Sequence, residues 1–243
     1  MVELQYKNRQ FLFNEGIDGN VIRTLGKGRF YEPGMLKFIE KLEPEGTIID
    51  VGANIGNHAI YLGAFTDCQK VIAIEPHPGI NQHLTDNVEQ NGLASKIDVH
   101  HIAVGDKAGK CNIESNSERY RGTAQVLPDS QGSIPIKKLD NLAQKRKVSV
   151  IKIDVEGFEP QVLRGSSNIL SRQEPHIFVE AHDRKAKRQI DEILHPLGYK
   201  AVKVFNRTPT YYYRKDASRT GIKELIQRPL FHLRRLRIFR ILG

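Results

Sequence analysis

Cysteine is scarce in this chain: Cys68 and Cys111 are its two cysteines in 243 residues. Neither belongs to a Cys-x-x-Cys pair, and no His-x-x-x-His spacing occurs. A zinc module is thereby excluded and a disulfide framework is not expected. No stretch approaches the roughly 18 consecutive apolar residues of a membrane span. Residues 1–10 are polar with no apolar run behind them. No signal peptide is expected there, and a reducing, cytoplasmic setting follows. Internal repeats and low-complexity tracts are also missing. What is present, 39% hydrophobic and 27% charged residues, suits a globular chain large enough for a full core.

The positive charge is unevenly placed. Residues 214–243 carry +7 of the formal +9. The basic balance is thus a property of the tail, and a nucleic-acid partner is not implied by the body. Residues 229–242 mix large apolar side chains with arginine. Docking on an anionic membrane surface, contact with a partner or RNA, and packing on the body are the three readings of that tail.

From residue 47 onward, short apolar strands alternate with helical stretches. Strands are predicted over 47–51, 70–74, 97–104, 148–153 and 176–181, with helices over about 159–170 and over 184–197 and a closing hairpin over 200–214. Nearly continuous apolar strands separated by helices signal a doubly wound, Rossmann-like α/β fold. Seven strands are expected, mostly parallel, with one antiparallel strand from the hairpin. Residues 1–46 read as a β lead-in followed by a helix opening at Pro33. Residues 47–214 form the main domain, and 215–243 the basic apolar tail. Residues 107–136 interrupt the alternation, either as an insertion over the carboxyl edge of the sheet or as a solvated loop.

The informative loop is Asp50-Val51-Gly52-Ala53-Asn54-Ile55-Gly56. Its glycines follow a strand and precede a helix, where they permit a tight turn and close approach of a ligand. Glu75 ends the next strand 19 residues after Gly56, the spacing of an acid that accepts hydrogen bonds from ribose hydroxyls. The loop is not G-x-G-x-x-G, and Asp50 stands at the first glycine position. A carboxylate there disfavours a pyrophosphate and favours a cationic ligand. S-adenosylmethionine has ribose hydroxyls, an amino group, a sulfonium and no phosphate. Val104 and Asp106, after the third strand, are placed to read its adenine. Asp154, Glu156, Glu180 and His182 are expected to converge on the carboxyl edge, a set suited to acid–base chemistry. Each has a plainer reading, such as helix capping by Asp154 or Glu156.

Together, Tyr31-Glu32-Pro33, the Asp50–Gly56 loop, Ile74-Glu75-Pro76, Asn87 with Asn91, Ala103-Val104-Gly105-Asp106, Lys152 to Gly157, and Val162-Leu163 with Gly165 resemble the FkbM family of S-adenosylmethionine-dependent methyltransferases. The similarity runs over about residues 28–183. It implies a seven-stranded Rossmann-like sheet and O-methylation of a hydroxyl on a sugar, glycan or related natural product. Glu32, in the first motif, joins Asp50, Gly52, Ala53, Asn54, Gly56, Glu75, Val104 and Asp106 as the expected cofactor contacts. Glu156 is the first candidate base, His182 the second, and Asp154 an orienting group. A divalent cation among these carboxylates is chemically reasonable, but no ligand set is assigned. Residues 122–125 depart from the Gly/Ser-rich stretch of many members, so the acceptor does not carry over. An RNA methyltransferase and a non-catalytic cofactor-binding subunit are the rival readings. The first is weakened by the missing Asn-Pro-Pro-Tyr-type motif.

Overall fold

The computed structural model describes residues 1–14, 19–114 and 125–215. The tail beyond residue 215, with all three readings of it, lies outside the described residues. The chain opens with a hairpin of β1 (Val2–Tyr6) and β2 (Arg9–Phe13). Its two-residue turn places Lys7 and Asn8 at φ +46° and +60°, the left-handed pair that matches strand twist. Helices α1 (Gly19–Leu25) and α2 (Pro33–Lys41) follow. Val21 and Ile22, expected in an extended lead-in, lie in α1 instead.

The alternation then runs β3 (Thr47–Val51), α3 (Asn57–Phe65), β4 (Lys70–Ile74), α4 (Pro78–Gln90), β5 (Ile97–His100) and β6 (Ala103–Val104). Next come β7 (Gly109–Glu114), β8 (Gln125–Pro128), β9 (Ile134–Lys137) and the short α5 (Leu139–Leu142). The last part is β10 (Val148–Ile153), α6 (Glu159–Arg164), α7 (Ser167–Arg172), β11 (His176–Glu180), α8 (Arg184–Leu194), β12 (Tyr199–Phe205) and β13 (Thr210–Lys215).

The main sheet has seven strands in the order β12-β13-β11-β10-β3-β4-β5. β13 is antiparallel to both neighbours, and the other pairs are parallel. Period-two alternation sends Ile48 to one face, with Met35 of α2, Leu62 of α3, Leu84 of α4 and Phe11 of the hairpin. It sends Ile49 and Val51 to the other, with Val162 of α6, Leu170 of α7 and Ile190 of α8. Burial on both faces explains the continuous apolar strands.

Three boundaries differ from the sequence reading. The predicted strand 97–104 divides: β5 pairs with β4, whereas Ala103 and Val104 pair with Ile136 and Lys137 of β9. Residues 107–136 therefore supply strands of a second, four-stranded sheet, β6-β9-β7-β8, and Val126 of β8 reaches the cleft. The helix predicted from Glu159 to Leu170 breaks after Arg164. A Cβ on Gly165 would lie 2.1 Å from the Gly105 carbonyl oxygen, and the Asp140 carboxylate caps α7 by accepting from Asn168 and Ile169 N–H. The helix predicted to reach Leu197 ends at Leu194, and a single tight turn over His195–Leu197 contains Pro196. Among the described residues no helix is long and apolar enough to cross a membrane.

Candidate active site

The loop after β3 folds over the end of β4. Gly52 and Ala53 both donate their N–H to the Ile74 carbonyl at 2.9 Å. Gly52 has φ +78°, and a Cβ there would lie 1.8 Å from the Asp154 carbonyl oxygen. Two strand ends meet at this point with no room for a side chain. Gly52→Ala is expected to lower the thermal unfolding midpoint by several degrees, since a strained left-handed residue adds about 1–2 kcal/mol to the clash. Asn54 is also left-handed, at φ +50°, and its N–H donates to Glu75 Oε2 at 3.0 Å. His77 N–H donates to Glu75 Oε1 at 2.9 Å. Each Glu75 oxygen keeps a lone pair for a hydroxyl donor.

Burial pushes the Glu75 carboxyl up to about 7, against those two N–H bonds. Its folded value exceeds its unfolded one, so its contribution to stability is complete below about pH 4.5 and is lost as pH rises through about 7. Glu75→Gln should remove about 1 kcal/mol of pH-dependent stability loss between about pH 6 and about pH 8. Denaturant titrations of both chains at the two pH values measure this. Identical slopes for the two chains would show that Glu75 does not titrate in that window.

Beneath the loop lies a buried ion pair. Lys152 of β10 is directly opposite Asp50 of β3. Its ammonium is 3.2 Å from Asp50 Oδ1, 3.0 Å from the Gly52 carbonyl and 3.5 Å from Asp154 Oδ2. Burial acts to lower the Lys152 pKa, but the carboxylates of Asp50 and Asp154 outweigh it and raise it. Asp50 is fully buried. The sequence reading set this carboxylate at the mouth of the loop to meet a cationic ligand. It lies below the loop instead, with Lys152 as its partner, and shapes the floor of the site.

The carboxyl ends of β10 and β11 form the opposite wall. Asp154 follows β10, and its N–H donates to Val51 O at 3.0 Å. Burial acts to raise its carboxyl, but the Lys152 charge and a hydrogen bond with Glu180 hold it low. Glu156 sits at φ +51°. Its Oε2 is 3.1 Å from His182 Nε2, which is 3.4 Å from Glu180 Oε2. Burial, then the Asp154 charge, push Glu156 up, and His182 opposes the shift. Burial and the same Asp154 charge push Glu180 up to about 10. Neither Asp154 nor Glu156 caps α6. Glu159 bends back and accepts from Val155 and Gly157 N–H at 3.2 and 3.1 Å. One oxygen or nitrogen from each of Glu156, Glu180 and His182 lies within 4.8 Å of the others, an arrangement that can pass a proton or hold a divalent cation.

These elements enclose a cleft of about 350 Å³. Of the expected cofactor contacts, Glu32, Gly52, Ala53, Asn54, Glu75 and Val104 line it, as do all three candidate catalytic residues. Asp50, Gly56 and Asp106 do not. Gly56 starts α3, packed against Leu84. Asp106 lies past Gly105, where the chain has turned toward α6. Two basic side chains in the cleft had no role in the sequence reading. Lys152 is the lone charged residue of an apolar strand, which is a legible signal once register is known. His58 lies on α3, and its Nε2 is 3.1 Å from Glu32 Oε2. Nothing local in the sequence marks that contact.

The profile described as the FkbM methyltransferase domain matches residues 50–201. The chain belongs to the FkbM methyltransferase family. Hexuronic acid methyltransferase AglP of Haloferax volcanii is 29% identical over 161 residues, which cover 64% of this chain and 64% of AglP. Methyltransferase sdnD of Sordaria araneosa is 23% identical over 203 residues, 66% of this chain and 76% of sdnD. A solved FkbM methyltransferase from Methylobacillus flagellatus KT superposes with TM-score 0.53 at 20% identity, covering 70% of this chain and 43% of its own. The precorrin-6y C5,15-methyltransferase of Geobacter metallireducens GS-15 gives TM-score 0.51 at 13% identity, over 85% and 94%. Both likenesses are likenesses of fold. The chain spans just under two thirds of AglP and less than half of the solved FkbM protein.

Proposed function

We propose that this member of the family uses S-adenosylmethionine to methylate a hydroxyl of a sugar, glycan or related natural product. The observation that carries the reading is one cleft holding both the Glu75-anchored glycine loop and the Glu156–His182–Glu180 wall. Bound there, S-adenosylmethionine would supply the electrophilic methyl group. Glu75 would accept from its ribose hydroxyls, Gly52 and Ala53 would let it approach the backbone, and Val104 would pack against its adenine. An alcohol is a weak nucleophile at neutral pH, so a group must take its proton as the new bond forms. Glu156 is suited to that step because burial and Asp154 raise its proton affinity. His182 orients Glu156, and Asp154 orients the acceptor. The AglP relative, named for a hexuronic acid, supports a sugar as acceptor.

The test is incubation of the full chain with S-adenosylmethionine and a panel of glycosides, read by mass spectrometry for the gain of one CH2 unit on oxygen. Methylated glycoside supports the reading. Cofactor binding with no methyl transfer to any hydroxyl compound would favour a non-catalytic subunit. Glu75→Ala should weaken S-adenosylmethionine binding in calorimetric titration by about 1–3 kcal/mol, the cost of removing a buried hydrogen-bond acceptor.

A further inference from the structure

We infer that the acceptor bears no negative charge beside its reacting hydroxyl, so that neutral and amine-bearing sugars are taken and a uronate is rejected. The inference rests on the sugar methylation proposed above and narrows its substrate class. Its basis is the balance of charge on the cleft wall. Apart from Glu75, whose oxygens face the loop, four carboxyl groups line the cleft: Glu32, Asp154, Glu156 and Glu180. They come from three different places in the fold, the start of α2, the turn after β10 and the end of β11.

The matching positive charge is already engaged. Lys152 is the one lysine or arginine among the described residues that line the cleft. It is 2% exposed, and Asp50, Asp154 and the Gly52 carbonyl surround its ammonium. No donor remains on it for an incoming carboxylate. His58 faces Glu32 at 3.1 Å, and His182 lies between Glu156 and Glu180 at 3.1 and 3.4 Å. Each imidazole of the cleft thus already has an acid partner. Burial first, and then the Asp154 charge, raise the Glu156 and Glu180 carboxyls, so this wall already disfavours a further negative charge. A carboxylate entering this wall would meet a surplus of acidic groups, with no unengaged lysine or arginine among the described lining residues, a repulsive arrangement of the kind that rejects a wrong partner. A hydroxyl or an ammonium would instead find acceptors within reach.

This separates the chain from its AglP relative in the charge of the substrate while keeping the sugar. The experiment uses the full chain loaded with S-adenosylhomocysteine and three probes of one skeleton: para-nitrophenyl β-glucoside, the free-amine β-glucosaminide, and β-glucuronide. Calorimetric titration should rank them with the glucosaminide tightest and the glucuronide about 100-fold weaker than the glucoside. Glu156→Gln should narrow the gap between glucoside and glucuronide by about tenfold. A glucuronide that binds as well as the glucoside overturns the inference, as does failure of all three probes to bind. Methyl transfer from S-adenosylmethionine is measured on the same probes separately. Binding in the expected order without transfer would defeat the proposed function and leave the charge rule standing.

Discussion

Lys152→Met is expected to cost about 3–5 kcal/mol of folding stability, the loss typical when one partner of a buried ion pair is removed. The variant leaves Asp50 fully buried with no cation beside it. It also frees the Gly52 carbonyl and removes the charge that holds Asp154 low. A domain of this kind has about 5–15 kcal/mol in all, so the variant should be marginal at growth temperature. Urea denaturation measures the loss. The double variant Asp50→Asn with Lys152→Met should recover part of it, because no charge is then stranded. A single variant within about 1 kcal/mol of the parent would mean that solvent reaches Asp50 and that the pair is not a structural floor.

Glu156→Gln is expected to lower turnover by about 10²–10⁴-fold while leaving S-adenosylmethionine binding unchanged, as for loss of a general base. The amide keeps the size and one acceptor of the carboxylate but cannot take a proton. Its position on the wall opposite the loop separates it from the residues expected to contact the cofactor. Single-turnover kinetics with calorimetry resolves the two effects. Turnover retained in Glu156→Gln and lost in His182→Asn would move the base to the imidazole. Loss of cofactor binding in Glu156→Gln would show instead that Glu156 supports the loop.

The fold was largely legible because both faces of the sheet are covered. Ile48, Ile49 and Val51 are each buried against one helical layer or the other, so β3 reads as an unbroken apolar run. The hairpin before residue 215 likewise announced the antiparallel strand. What sequence reading lost was set by long-range pairing. Ala103 and Val104 continue a β pattern without a break, yet their partner is β9, more than 30 residues on. No local signal marks that exchange. The same holds within the site. Glu75 was legible from its spacing to the glycine loop. Asp50 was misplaced because its orientation depends on Lys152, a residue 102 positions away that register sets opposite it. The Glu32–His58 contact joins two helix starts, and neither helix alone reports it.

The position of β13 bears on the order in which the molecule is made. β11 carries Glu180 and leads to His182, and its outer ladder is completed by β13, which follows β12 in the chain. Ala181 N–H is satisfied by the Pro209 carbonyl, just ahead of β13. The glycine loop and Glu75 depend on β10, which supplies Lys152 beneath them and precedes β11 in the chain. The β11 ladder beside Glu180 is complete only with the last described strand. The strand that flanks Glu180 is thus the last described strand to be made, well after the glycine loop and Glu75.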